Sequence, residues 1–425
     1  MKKYDLIVAG GGLTGVAAAV SAAREGLSVL LIESSGSLGG ALNTNLVYPF
    51  MRFWTEPEGQ ERKYLSAGIF TEMRQRAAAL AGTQLATDFS PEDFKIILDD
   101  MVLESGVQVL FHGVLFAVHT EGTKVCSVSV ATKAGAMDFT ADFFVDATGD
   151  GDLMAFAGCQ MQLGREADSL CQPMTTCFRV ANVDRNIQEL EYKKNLGKRM
   201  TEAFVKGKEN GTITNPRENV LWFRGPGLGK GIAHFNTTRI VKLDPTDPFA
   251  VSCAEMEARK QVRELMQMLQ TEEFPEFKDA RLVGIATSIG VRESRKLQGV
   301  HILNAQELKD CTRFPDSIAL GNYDIDIHNP EGAGTSHYYF APGDYYTIPY
   351  RCLLPKEFDN LLTGGRCLSA THEAQASIRI MPICATTGQA AGVAAAIAHK
   401  TGTNAHTVDV AAVQDRLRQL GAAID

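Results

Sequence analysis

The residues best placed to do chemistry stand at the two ends of the chain. Near the start, Gly10-x-Gly12-x-x-Gly15 is followed eighteen residues later by Glu33. Glycines at this spacing permit a tight turn at Gly10, close approach of the backbone to a pyrophosphate at Gly12 and helix–strand contact at Gly15. A glutamate at this distance can accept hydrogen bonds from both hydroxyls of an adenosine ribose, and it would repel a 2′-phosphate. Towards the other end lie His337, His372 and Arg379, with Arg292 before them. A histidine there can act as general acid or base near physiological pH, and an arginine can hold an anion or charge the surroundings of a cofactor.

The glycines need a strand–turn–helix–strand frame, and the flanking sequence supplies one. Residues 4–9 read as a short buried strand, 13–25 as a helix of small residues, and 27–33 as a second buried strand. The N–H groups that open the helix, at Leu13 and Thr14, face the phosphates together with the positive end of the helix dipole. A Gly39-Gly40 pair, six residues past Glu33, lets the following loop pass close to the same ligand, with Ser34 beside the carboxylate. That pair resembles the extended signature of FAD-binding proteins of the two-dinucleotide-binding-domain type, and this separates FAD from NAD where the glycine fingerprint alone does not.

Three later segments extend the resemblance. Residues 143–152 run from an apolar strand into an Ala147-Thr148-Gly149 turn. Residues 288–296 carry an Arg-Glu-Ser-Arg-Lys string. Residues 348–392 pass from Ile-Pro-Tyr-Arg351 through Gly364-Gly365-Arg366 and His372 to Arg379, Pro382 and a helix containing Ile383 and Gly388. Together they resemble the FAD-dependent oxidoreductase family, distantly similar to the fumarate reductase and succinate dehydrogenase flavoproteins. The resemblance covers about the first 55 residues, 140–165 and 285–400. It implies one FAD per chain, redox chemistry at the flavin N5 edge, and cofactor contacts from Gly10, Gly12, Leu13, Thr14, Gly15, Glu33, Ser34, Gly39, Gly40, Ala147, Thr148, Gly149, Gly365, Arg366, Ile383 and Gly388. The small residues of the last helix can equally be close-packing positions.

The expected fold class is α/β. A discontinuous Rossmann-like FAD-binding domain is built from residues 1–164 and 346–425, and a second, mixed α/β substrate domain from 165–345. Within the second, strands are expected at 174–180, 220–223 and 231–240, helices at about 186–208 and 248–270, and a solvated loop at 52–64 in the first. Arg292 and Arg295, three apart, share a face if their segment is helical; they can clamp a carboxylate or form surface ion pairs. His337 sits among Tyr338, Tyr339, Tyr345 and Tyr346, either as a substrate pocket or as an aromatic core. His372 and Arg379, between the Gly364-Gly365 turn and the helix at Pro382, are expected to flank the flavin, although His372 can instead bond only backbone. Arg351 can orient flavin or substrate, or brace the domains.

The bulk properties narrow the partners. At 425 residues, 45% hydrophobic and 22% charged, the chain is an ordinary globular protein and not a disordered one. With 42 Lys and Arg against 50 Asp and Glu, a net charge of −8 and no basic run longer than a pair, nucleic acid is not expected as a partner. Nine scattered cysteines without a CxxC pair point to a reduced, cytoplasmic protein with neither a zinc site nor a redox disulfide. A basic start before an alanine-rich stretch has the outline of a signal peptide, but the glycines interrupt its apolar run, so no leader is expected. No membrane span is expected either.

A second GxGxxG is absent, so the electron partner is left open among oxygen, a quinone, another protein or a second small molecule. The oligomeric state is open as well. The expected activity is hydride transfer between flavin N5 and a small polar organic substrate. A non-redox flavoprotein and an NAD-dependent dehydrogenase stand as alternatives.

Overall fold

The computed structural model describes residues 2–82 and 87–425. The chain opens with the strand Lys2–Ala9, whose last four residues are all buried, as a central parallel strand covered on both faces must be. The helix Leu13–Arg24 returns across it to the strand Val29–Ile32. Five parallel strands then lie side by side in the order Gln108–Leu110, Val29–Ile32, Lys2–Ala9, Gly135–Asp146 and Leu361–Thr363. The last of these comes from more than 200 residues downstream, pairing Leu362 with Val145, so this sheet is discontinuous in sequence. The first half of Gly135–Asp146 continues into an antiparallel meander with Lys124–Thr132 and Val114–Glu121.

The helix Met381–Thr401 seals this sheet against Leu13–Arg24, and the contact is backbone on backbone. A Cβ on Gly388 would stand 2.2 Å from the carbonyl oxygen of Thr14, and one on Gly392 would stand 2.2 Å from that of Ala18. Glycines four apart on one helix therefore match residues four apart on the other, which is how small residues let two helices meet. By length and composition Met381–Thr401 could cross a membrane, but nearly all of it is buried in the core.

The middle of the chain forms a second sheet, antiparallel, in the order Trp222–Phe223, Ala233–Phe235, Phe178–Ala181 and Arg281–Ile285. One face packs Phe178, Trp222 and Phe235 against Phe204 and Leu265 of the helices Leu190–Glu209 and Pro248–Leu269, forming a separate core. Asp247 caps the second helix and proline occupies its first turn.

Several sequence expectations shift here. The strands are shorter than their apolar runs: Met174 and Thr175 make only isolated bridges, to Ile240 and Gly290. The loop at 52–64 holds a small hairpin, Trp54–Thr55 with Lys63–Tyr64. The segment with Arg292 and Arg295 is not helical, since Arg295–Leu297 is a strand paired with Met161–Leu163. Leu303, Leu308, Ile318, Ile325 and Phe340, expected with the second unit, join the core of the parallel sheet.

Candidate active site

All four strands that carry the expected cofactor turns end on the same side of the parallel sheet. Lys2–Ala9 delivers Gly10, Val29–Ile32 delivers Glu33, Gly135–Asp146 delivers Ala147, and Leu361–Thr363 delivers Gly364. Carboxyl ends of parallel strands are where α/β sheets bind ligands. A cavity of about 970 Å³ opens there and runs under the second sheet, at the upper end of the roughly 300–1,000 Å³ usual for small-molecule sites.

Gly10, Gly12, Leu13, Thr14, Glu33, Ser34, Gly39, Gly40, Ala147, Thr148, Gly149 and Arg366 all line it. Gly10 holds φ at +95°, and a Cβ there would stand 2.4 Å from the Ala147 oxygen. The helix begins at Leu13 with no side chain capping its N–H groups. Glu33 is oriented by two backbone donors, Gly11 N–H to Oε2 and Ser35 N–H to Oε1, each at 2.6 Å. Oε1 also accepts from Ser34 Oγ at 3.3 Å, while Oε2, with a single donor, keeps a lone pair for a ribose hydroxyl.

Behind the Ala147–Gly149 turn, the buried carboxylate of Asp146 accepts from Thr148 N–H at 3.0 Å, Thr148 Oγ1 at 2.8 Å and Met154 N–H at 2.9 Å. Arg366 staples the same turn, donating to the Gly149 oxygen at 2.8 Å and pairing with Asp150 at 2.6 Å. Uncapped N–H groups, a tied carboxylate and a glycine-lined floor suit a pyrophosphate and its ribose.

Four of the expected contacts are corrected to supporting roles. Gly15 packs against the Gly10 oxygen, and Gly365 against Thr14. Gly388 meets the Thr14 backbone, and Ile383 is sealed in the core. From that helix it is Met381 and Cys384, with Ile380 before them, that reach the cavity.

The far wall of the cavity comes from the hairpin Ile325–His328 with Thr335–Tyr338 and its neighbours. His337 lies here with Nδ1 2.5 Å from Asp324 Oδ2 and Nε2 3.7 Å from Asp326 Oδ1, and Tyr339 stacks on its ring at 5.3 Å. Asp326 also receives the Tyr323 hydroxyl at 3.1 Å and lies 3.3 Å from His328 Nε2 and 3.7 Å from Arg379. Burial alone would raise the Asp326 carboxyl, but His328, Arg379 and Arg292 outweigh it and hold it well below its usual range. Burial, helped by Arg292, pushes His328 down to about 3, so that ring stays neutral.

Arg292 and Arg379 both line this wall, while Arg295 turns away to Asp152. Tyr346 is fully buried, with its hydroxyl 2.6 Å from Ser377 Oγ, so the tyrosine cluster splits between core and surface. Arg351 pairs with Asp316 at 2.9 Å and does not reach the cavity wall.

His372 departs most from expectation. It is buried with Nδ1 2.7 Å from Glu293 Oε2, in a triad completed by Lys296 at 2.5 Å from Oε1. It does not line the cavity, because the helix it starts packs that edge inward against the Glu293 carboxylate. Sequence reasoning also passed over Arg217, Tyr323, Asp324, Asp326 and His328. Asp324 and Asp326, alternating ahead of His328, were the one visible signal, since residues two apart on a strand share a face.

A family model of FAD dependent oxidoreductases matches residues 5–417. The chain belongs to the FAD-dependent oxidoreductase family. It is accordingly an enzyme with FAD as its cofactor. This FAD-dependent oxidoreductase is similar to several solved structures. One is a geranylgeranyl bacteriochlorophyll reductase-like protein from Thermoplasma acidophilum, at 13% identity and TM-score 0.47 over 99% of this chain and 84% of that one. Another is the flavin-dependent brominase Bmp2, at 13% and 0.47 over 98% and 83%. A third is p-nitrophenol 4-monooxygenase PnpA from Pseudomonas putida DLL-E4, at 10% and 0.43 over 99% and 84%. No curated protein matches this FAD-dependent oxidoreductase in sequence.

Proposed function

We propose that this enzyme transfers a hydride between FAD and a small polar organic substrate, with His337 as the group that takes or gives the accompanying proton. FAD, when bound, supplies the two-electron chemistry at N5. The protein supplies the rest. Gly12, Leu13, Thr14 and Glu33 would hold the pyrophosphate and ribose, and Arg366 keeps the Ala147–Gly149 turn in place. The second sheet and its flanks line the cavity with Cys177, Leu221 and Phe223, which would limit water within it.

The observation that carries this reading is His337, oriented by Asp324 and lining the same cavity as the dinucleotide fingerprint. A carboxylate on Nδ1 fixes ring orientation and tautomer and leaves Nε2 for a substrate proton. The electron partner is proposed to be a small molecule sharing this cavity, since the sequence carries a single dinucleotide fingerprint.

The test is an anaerobic screen of small hydroxy, amino and unsaturated compounds for bleaching of the oxidised enzyme or reoxidation of the reduced one. A compound that does either, with the rate cut by His337→Gln while FAD is retained, supports the reading. A protein that keeps FAD but exchanges electrons with no compound in either direction, and whose His337→Gln variant matches the wild type, would leave the cofactor a structural part.

A further inference from the structure

Arginine is the residue in excess at the substrate end of the cavity. Arg217, Arg292 and Arg379 line it together, and Arg239 stands behind them, almost wholly buried. The carboxylates facing this group are Asp326, 3.7 Å from Arg379, and Glu218, 3.7 Å from Arg239. Four guanidinium ions thus meet two carboxylates, and neither separation closes a hydrogen bond. The third acid nearby, Asp324, is taken up by His337.

The donors are not satisfied either. Arg292 gives Nη1 to the Pro173 oxygen at 2.7 Å and Thr175 Oγ1 at 2.6 Å, which fixes the side chain; its Nε and Nη2 have no partner among the described residues. Arg217 is fixed through Asn219 and the Asn236 oxygen, and its Nη2 has no partner among the described residues. Arg379 reaches Gln172 and the backbone oxygen of Asp326 only at 3.5 and 3.4 Å, and its Nε is buried without a partner among the described residues. Arg239 leaves Nε and Nη1 buried without hydrogen-bond partners among the described residues.

Water filling the cavity would satisfy such donors but carries no charge, and buried like charges repel strongly where the dielectric is low. An oxyanion answers both needs, because planar guanidinium forks pair with its oxygens.

We propose that the substrate is an anion, a small molecule whose carboxylate or other oxyanion is held by Arg217, Arg292 and Arg379; this rests on the hydride-transfer reading and names its substrate class. The electrostatics run the same way. Burial, with Arg379 and Arg217 close by, pushes Arg292 down to about 9, against its usual 12.5. An oxyanion would reverse the repulsive part of that shift. Asp326 then has the task of keeping Arg379 oriented in the free enzyme.

The experiment is calorimetric titration of the FAD-loaded enzyme with malonate, malonamide, acetate and inorganic phosphate, read alongside the flavin difference spectrum. Malonate and malonamide share a skeleton and differ in charge. Malonate, or phosphate if the site prefers that geometry, should bind at least tenfold more tightly than malonamide. Arg292→Met and Arg379→Met should each weaken it by a further tenfold or more, and Arg379→Lys by less.

Equal binding of malonate and malonamide, or no binding of any anion to the wild type, would overturn the proposal without recourse to a variant that might misfold. A neutral compound that bleaches the flavin in a protein binding no anion sinks this inference and leaves hydride transfer standing. Tight malonate binding beside a flavin that no compound reduces or reoxidises does the reverse.

Discussion

Asp324 Oδ2 lies 2.5 Å from Nδ1 of His337, and the opposite ring nitrogen lies 3.7 Å from the carboxylate of Asp326 on the neighbouring strand. The two members of the pair come from different sides of the hairpin, so its pairing register sets the contact: Asp326 stands opposite His337, and Asp324 just precedes the strand. A carboxylate held this close to Nδ1 orients the ring as an acid–base, with Asp326 as its second acidic neighbour.

The first prediction concerns that pair. His337→Gln should retain FAD and lower the rate of flavin reduction by ~10²–10⁴, the usual contribution of a positioned proton-transfer group. Asp324→Asn should lower kcat less, with KM little changed, since it acts by orienting the ring. Stopped-flow reduction under anaerobic conditions reads both. Wild-type rates in the two variants would move proton transfer to another group.

How far the sequence reached is clearest in the contrast between His337 and His372. The glycine fingerprint and Glu33 were legible because strand, turn, helix and strand all lie within 33 contiguous residues, where local spacing determines contact. His372 sat between two flavin-side landmarks and looked better placed. Its neighbours, Glu293 and Lys296, are some eighty residues away in sequence, and nothing local reveals that they draw it inward.

Arg217 was invisible for a related reason. It lies in an irregular stretch between the helix Leu190–Glu209 and the strand Trp222–Phe223, so no periodicity assigns it a face. The small residues of the last long helix were ambiguous between ligand contact and packing; Gly388 and Gly392 prove to be packing positions, matched to Thr14 and Ala18.

That packing gives a second prediction. Gly388→Ala drives a methyl to 2.2 Å from the Thr14 oxygen, so the helices must part. The cost should be ~1–3 kcal/mol, as for other overpacked cores, seen as a lower Tm. Because Thr14 also lines the cavity, FAD content after purification should fall as well. An unchanged Tm would mean that the helix contact is looser than described.

A third prediction tests the ribose carboxylate. Glu33→Gln keeps the shape but removes the charge, and charge-assisted hydrogen bonds are worth ~1.5–3 kcal/mol each. Reconstitution of the apoprotein should show FAD affinity weakened by tenfold or more. Equal affinity for the two proteins would separate Glu33 from the ribose.

Acid stability supplies a fourth. Burial would raise the Glu293 carboxyl, but its bonds to His372 and Lys296 dominate and bring it below the usual 4.5. A carboxyl depressed in the folded state contributes stability that is fully present above its unfolded value and is lost as pH falls through the folded one. The wild type should therefore lose Tm progressively below about pH 4.5, and Glu293→Gln, less stable at pH 7, should lose less over that range. Parallel pH–Tm curves for the two proteins would show that the triad does not govern acid unfolding.

The central claim, an FAD enzyme whose cavity joins the dinucleotide fingerprint to the arginine-lined wall, is tested most directly by the visible spectrum and flavin content of the purified chain. A yellow protein releasing close to one FAD per chain on denaturation, its bands shifted when an anion enters the cavity, is the predicted result. A colourless protein that takes up no FAD on reconstitution, or one that carries FMN instead, would contradict it.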